Sequence, residues 1–399
     1  MNPKLLNKEL NLLDNSLNDI IQCIEMHRNH KALSSPCFDT GLLGTSFFYT
    51  LLYDYANDER YLDTAFKFFE QGLYAINGDF HPTYLNDSLD SHIGQIGRYL
   101  NFITEHKNFC DYDFSDYLNH LDELLQNLYP SKILKGDFDI VSGALASGVY
   151  FLTRDSNIAT QALNNIVKGI YNAKKINSKG YYWTVPTLGN RIYLGISHGS
   201  AMLINFLCAV YKKGIAKEMC EDLIYNASRY LLNNKRINKY TGLFDNYIGE
   251  EPEPKQFSVC YGDIGNGLAL LKAGKALKSD LLVNESSAVL NNCLTRNFED
   301  NLTLDASIYY GAAGLYIAFA EVYSLTADVR FLEKADYWLN CIPKYKVHDN
   351  DYAGFKTRLL DQVLSWNICF GWGITGIGSV ILNNHTKSFK SLTPLTLLT

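Results

Sequence analysis

The chain has 399 residues, 47% hydrophobic and 20% charged, ordinary proportions for a globular protein with a large core. A net charge of −6 with a pI near 5.9 leaves no basic surface and argues against nucleic acid as a partner. Nine cysteines, odd in number and irregular in spacing, are those of reduced thiols rather than of a disulfide framework.

The first stretch, MNPKLLNKELNLLDNSLNDII, mixes apolar and polar residues at helical spacing and lacks the unbroken apolar run of a signal peptide. No later run reaches the length of a membrane span, so a cytoplasmic protein without an integral membrane segment is expected.

From there a glycine-centred turn recurs seven times: Gly41-Leu-Leu-Gly44, Gly94-Gln-Ile-Gly97, Gly143-Ala-Leu-Ala146, Gly199-Ser-Ala-Met202, Gly262-Asp-Ile-Gly265, Gly311-Ala-Ala-Gly314 and Gly373-Ile-Thr-Gly376. Successive first glycines lie 53, 49, 56, 63, 49 and 62 residues apart, and each turn is followed by a mostly apolar helical stretch. Between the turns run amphipathic segments, with apolar residues three and four apart and charges between. They are Leu12 to His27, Arg60 to Ile76, Phe114 to Leu128, Asn157 to Ala173, Lys217 to Leu232, Asp280 to Thr295 and Asp328 to Cys341. Two share local sequence, Asp58-Glu-Arg-Tyr-Leu-Asp-Thr-Ala65 and Asp328-Val-Arg-Phe-Leu-Glu-Lys-Ala335, which supports repetition independently of the glycines.

Seven apolar helices alternating with seven amphipathic ones pack most simply as an inner ring inside an outer one. The expected fold is all-α, an (α/α)7 toroid of about fourteen helices, with residues 1–399 as one domain because a repeat array buries a shared core. Glycine at each inner-helix start lets helix ends crowd together, having no Cβ to clash. Gly262-Asp-Ile-Gly265-Asn-Gly267 matches a dinucleotide loop only by counting, since no strand precedes it.

Inner helices that all start at one end bring the residues before each glycine to one mouth. These are Asp39 and Thr40, His92, Asp139, His198, Cys260, Tyr309 and Tyr310. The helix N-termini would add a positive potential there, and the longest connections, Ile176 to Leu194, Asn233 to Val259 and Ile342 to Ile368, enter it. A ring of ionisable groups at one end of an apolar barrel is a candidate active site. Taken singly, Asp139 also suits a helix cap, Cys260 a small buried hydrophobe, and Tyr309 and Tyr310 simple filling of space. The acidic Gly249-Glu-Glu-Pro-Glu-Pro254 reads as a solvated loop.

The motifs resemble those of the lanthionine synthetase C-like cyclases, whose fold is an α/α toroid. Leu194-Gly-Ile-Ser-His-Gly199 is similar to the family's histidine motif, Cys260-Tyr-Gly262 to its first zinc-ligand motif, and Asp139-Ile-Val-Ser-Gly143 to its aspartate motif. Family members add a cysteine thiol to a dehydroalanine or dehydrobutyrine of a precursor peptide, closing a thioether ring. The resemblance implies that Cys260 would bind zinc, that His198 would protonate the enolate, and that Asp139 would assist proton transfer or orient the peptide. It also implies a precursor peptide as substrate and a dehydratase or synthetase as partner.

The sixth repeat departs from the pattern. The family's Cys-His pair, the other two zinc ligands, is replaced by Tyr309-Tyr310; Cys369 sits in the seventh repeat and out of register, and His92, two residues before Gly94, lies in the second repeat, well round the ring from the fifth. Three protein ligands are the usual complement of a catalytic zinc, and a phenol is a poor substitute for thiolate or imidazole. Zinc at the usual three-ligand site is therefore not expected, and Cys260 stands as a residual ligand position. Three functions are compatible with these residues: a zinc-independent cyclase, a non-catalytic peptide- or synthetase-binding relative, and a carbohydrate-active toroid using carboxylates such as Asp139, Asp263 and Asp305.

Overall fold

A computed structural model describes residues 3–29, 35–75, 88–236, 242–251, 256–358 and 367–398. Residues 252–254 of the acidic segment, and parts of the two longest connections, 237–241 and 359–366, lie outside them. Two compact units divide the chain.

The first unit comprises Met1–His81, Ile103–Cys110 and Phe298–Thr396. Its apolar helices are α2 (Leu42–Ala56), α12 (Ala312–Thr326) and α14 (Ile374–Thr386), partnered by α1 (Pro3–His27), α3 (Glu59–Ala75) and α13 (Val329–Cys341). In α2 every residue from Leu42 to Leu52 is buried, so the helix is enclosed on all sides. In α3 burial is confined to Ala65, Phe68, Phe69 and Gly72, one face of an amphipathic helix. Truncating a side chain such as Phe48, fully buried in α2, is expected to cost about 3–5 kcal/mol.

The second unit comprises Pro82–Phe102, Asp111–Asn297 and Leu397–Thr399. Its apolar helices are α4 (Leu89–Ile103), α6 (Leu145–Phe151), α8 (Ser200–Lys212) and α10 (Asp263–Leu277). Their partners are α5 (Ser115–Leu134), α7 (Asn157–Ala173), α9 (Lys217–Leu232) and α11 (Asp280–Leu294). The connection from Ile176 to Leu194 carries the only sheet among the described residues, an antiparallel hairpin of β1 (Lys175–Asn177) and β2 (Gly180–Tyr182).

The two related sequences form the same corner. Asp58 and Asp328 each accept the backbone N–H of the residue two ahead at 3.1 Å, and each clasps the side chain of that residue, Arg60 or Arg330. A left-handed residue, Asn57 or Ala327, stands immediately before each and closes the preceding apolar helix.

The starts of the apolar helices also share a design. Ser200 and Ala201 of α8 donate their N–H groups to the carbonyls of Tyr193 and Leu194 at 3.1 and 3.0 Å. Ala312 and Ala313 of α12 do the same to Asp305 and Ala306. The chain thus doubles back on each helix start so closely that a Cβ on Gly199 would lie 2.3 Å from the Tyr193 carbonyl carbon. At α8 the upstream carbonyls thus take the first of the N–H groups that a helix start leaves without an intrahelical partner.

Two glycine motifs differ from expectation. Gly94 and Gly97 lie inside α4 rather than in a turn before it, because the helix begins at Leu89. They allow close packing: a Cβ on Gly94 would be 2.6 Å from the Ala146 carbonyl oxygen, and one on Gly97 would strike the Tyr150 ring. Gly143 precedes only a seven-residue helix, α6.

Candidate active site

Asp139 and His198 meet in the second unit. His198 lies immediately before Gly199, the residue capping α8, and its Nδ1 is 2.7 Å from Asp139 Oδ2. The other carboxylate oxygen, Oδ1, accepts the backbone N–H groups of Val141 and Ser142 at 2.8 and 3.2 Å. Asp139 therefore both caps its own turn and holds the histidine. A carboxylate accepting from Nδ1 fixes the tautomer with Nδ1 protonated and leaves Nε2 as the working nitrogen. The histidine side chain is 19% exposed and that of Asp139 is 2%, an open base on a buried support.

The turn bearing Asp139 is itself braced. Asp137 accepts the Asp139 N–H at 3.1 Å and the Ser142 hydroxyl at 3.0 Å, and burial pushes its carboxyl above the usual carboxylate range. Lys132 Nζ donates to the Ser142 carbonyl at 2.7 Å. The Ser142 hydroxyl also meets that of Thr187 at 2.8 Å, tying the hairpin connection to this turn.

Together these segments line a small recess, with Asp139, His198, Trp183, Thr184, Val185 and Met202 among its walls. The indole N–H of Trp183 donates to the Ile170 carbonyl at 2.9 Å, which fixes one wall. The Tyr193 ring stands edge-on to the His198 imidazole, centroids 5.7 Å apart.

Cys260 is not one of the lining residues. It is buried on the neighbouring segment, where its carbonyl accepts the Ser197 hydroxyl at 3.1 Å. The Tyr261 phenol is pushed well above its ordinary range, first by burial and then by the charges of Cys260, Tyr193, Asp139 and Glu250.

The remaining candidates have other surroundings. His92 lies within α4, 1% exposed, and burial lowers its pKa to about 4. Asp263 accepts the N–H groups of Leu243 and Phe244, and Asp305 holds Ser307 and the Arg358 N–H. Both are buried loop anchors, which removes them as the open carboxylate pair that glycoside hydrolysis requires.

In the first unit, the Tyr309 hydroxyl donates to Asp39 Oδ2 at 2.8 Å. The ring packs against Trp372, centroids 4.8 Å apart, and a Cβ on Gly371 would lie 2.6 Å from Tyr309 Cε2. Tyr310, partly buried, donates its backbone N–H to Ser307 Oγ at 3.3 Å. Cys369 is buried beside this group, and burial raises its thiol to about 12.

These residues do not fit the zinc that the sequence motifs imply. The family positions supply one thiol, from Cys260, and two phenols, one of them already committed to Asp39. Phenols titrate near 10 and are weak zinc donors at neutral pH. Among the described residues no group of three or more His, Cys, Asp or Glu side chains is placed to hold a metal ion.

Sequence alone did not single out Asp137, Ser142, Thr187, Trp183 or Tyr193. Only Asp137 had a signal, the Asp-Phe-Asp spacing that puts one carboxylate behind the other. Among the described residues no helix is long and apolar enough to cross a membrane.

The lanthionine synthetase C-like protein family matches residues 35–383. No curated protein matches the chain. Among solved structures it is similar to a nisin cyclase, with a TM-score of 0.74 at 18% identity over 97% of this chain and 98% of that one. The likeness shows the fold, a mostly helical α/α toroid, as the seven repeats predict. A family match over most of the sequence makes the chain a member of the lanthionine synthetase C-like family.

Proposed function

We propose that the protein acts in lanthipeptide biosynthesis, adding a peptide cysteine thiol to dehydroalanine or dehydrobutyrine without the family's usual three-ligand zinc. The observation that carries this reading is the 2.7 Å contact of His198 with Asp139, the imidazole partly exposed beside a small recess. Family membership and the likeness to a nisin cyclase support a peptide substrate. A dehydratase or synthetase would supply the dehydrated peptide, and the protein would work in the cytoplasm.

His198 Nε2 takes the thiol proton while the sulfur bonds to the β-carbon of the dehydro residue. The π electrons move onto the carbonyl oxygen to give an enolate. The imidazolium, held by Asp139, then returns the proton to the α-carbon, so the addition is proton-neutral. General acid–base assistance of this kind contributes roughly 10²–10⁴-fold. Lowering a thiol pKa from about 8.5 toward 7 requires only about 2 kcal/mol of differential stabilisation, which a neighbouring base and imidazolium can supply.

The test is ring closure in a synthetic peptide carrying one dehydroalanine and one cysteine, followed by mass spectrometry after alkylation of unreacted thiol. Closure by the wild type that is lost in His198→Ala supports the reading. Peptide binding without closure above the uncatalysed rate overturns it in favour of a non-catalytic peptide-binding role, which the phenols at the ligand positions would suit.

A further inference from the structure

Beside the dyad stands a cation that the chemistry above leaves unused. Arg191 is exposed, and its guanidinium carbon lies 4.5 Å from the centroid of the Tyr247 ring. Its charge also reaches the phenol of Tyr193, whose ring stands edge-on to the His198 imidazole. The backbone fixes the same arrangement: Val185, a lining residue of the recess, donates its N–H to the Arg191 carbonyl at 3.0 Å, and Tyr193 pairs with Tyr247 across a bridge.

Among the described residues no carboxylate stands within ion-pair distance of Arg191. Glu250, whose charge reaches Tyr193, directs its two oxygens to Asn246, at 2.8 Å to the backbone N–H and 3.0 Å to the side-chain amide. A guanidinium lying over an aromatic ring has its face covered and its N–H edge free. Its five donors form a fork whose geometry matches a carboxylate. Stacking on Tyr247 restricts the side chain, so less rotamer freedom remains to be lost on binding.

We infer that Arg191 is a specificity residue that binds a carboxylate of the substrate peptide next to the reacting residue, either an acidic side chain or a free C-terminus. The inference rests on the peptide-modifying reading above, and its test measures binding rather than catalysis.

Fluorescein-labelled hexapeptides with alanine in place of dehydroalanine and serine in place of cysteine are titrated against the full-length protein by fluorescence anisotropy. One carries glutamate and a C-terminal amide, the second glutamine and a free C-terminus, and the third glutamine and an amide. At least one acidic peptide is expected to bind about tenfold more tightly than the neutral one, the equivalent of one good charge-assisted contact. Whichever acidic peptide gains identifies the source of the carboxylate. Arg191→Met, which keeps the packing on Tyr247, should abolish the preference, and Arg191→Lys, which keeps the charge and loses the fork, should retain only part of it.

The inference is overturned if the neutral peptide binds as well as both acidic ones, if the preference survives in Arg191→Met, or if no peptide binds at concentrations of about 1 mM. A purely structural Arg191 would weaken all three peptides alike, which also overturns it. Ring closure is scored separately. A carboxylate preference without ring closure removes the catalytic reading and leaves this one standing, and ring closure without the preference does the reverse.

Discussion

Asp139 divides its carboxylate between its own turn and His198, giving Oδ1 to Val141 and Ser142 and Oδ2 to the imidazole Nδ1 at 2.7 Å. The two duties are separable by mutation. Asp139→Asn retains an oxygen for the turn and presents an amide to the histidine, which favours the wrong tautomer. This variant is expected to melt within a few degrees of the wild type while ring closure falls roughly 10²–10⁴-fold. Asp139→Ala loses both duties and should cost about 1–3 kcal/mol of stability besides. Melting curves and closure rates measured on the same preparations decide it; an Asn variant as active as the wild type reduces Asp139 to a cap.

Tyr309 and Asp39 form a buried pair 270 residues apart in sequence. Tyr309→Phe keeps the ring against Trp372 and removes the hydroxyl from a carboxylate that is only 6% exposed. Loss of this donor should destabilise the protein by about 1–3 kcal/mol. Asp39→Asn combined with Tyr309→Phe should cost less than the sum of the single changes. Urea unfolding of the four proteins gives the coupling directly, and additive losses would show that the bond contributes nothing.

The fold was legible because its repeats are marked at the backbone. Doubling back over a helix start excludes a Cβ at Gly199, and the residue recurs for that reason. The Asp58 and Asp328 corners were visible as shared sequence and share a geometry. The second repeat misled because a glycine that admits a neighbouring helix, as Gly94 admits Ala146, looks the same in sequence as one that starts a helix. In the site, the motifs pointed to Asp139 and His198 separately, but the bond between them spans 59 residues and depends on packing. Arg191, Tyr193 and Tyr247 carry no periodic signal and become a group only through an isolated bridge between two connections.

His92 makes stability depend on pH. Burial lowers its pKa from the ordinary 6.5 to about 4, so the folded state prefers the neutral ring. The unfolded chain takes up the proton first as pH falls. Stability from this residue is therefore complete above about 6.5 and is lost progressively down to about 4, by about 3 kcal/mol in all. Denaturant midpoints measured at pH 7 and pH 4.5 should differ less in His92→Gln than in the wild type, whatever the absolute stability of the variant. An equal pH dependence in the two proteins would show that His92 is not the group responsible.

At the positions where the family motifs carry zinc ligands this sequence has Cys260, Tyr309 and Tyr310. With one thiol and two phenols at the family's ligand positions, the purified protein is expected to carry well below one zinc per chain, measured by plasma mass spectrometry after growth with added zinc. Chelator should leave its melting curve and any ring closure unchanged. Unit zinc, lost together with activity in Cys260→Ala, would restore a zinc mechanism with ligands other than the family's. The converse experiment replaces Tyr309→Cys and Tyr310→His together, which rebuilds the family donor set of two thiols and one imidazole and should create zinc affinity. The first substitution also takes a hydroxyl from Asp39, so the melting curve of the double variant is compared with that of Tyr309→Phe, which loses the same hydroxyl. A double variant that is folded, gains no stability from zinc and binds none would show that the tyrosines do not occupy the ligand positions of the sixth repeat.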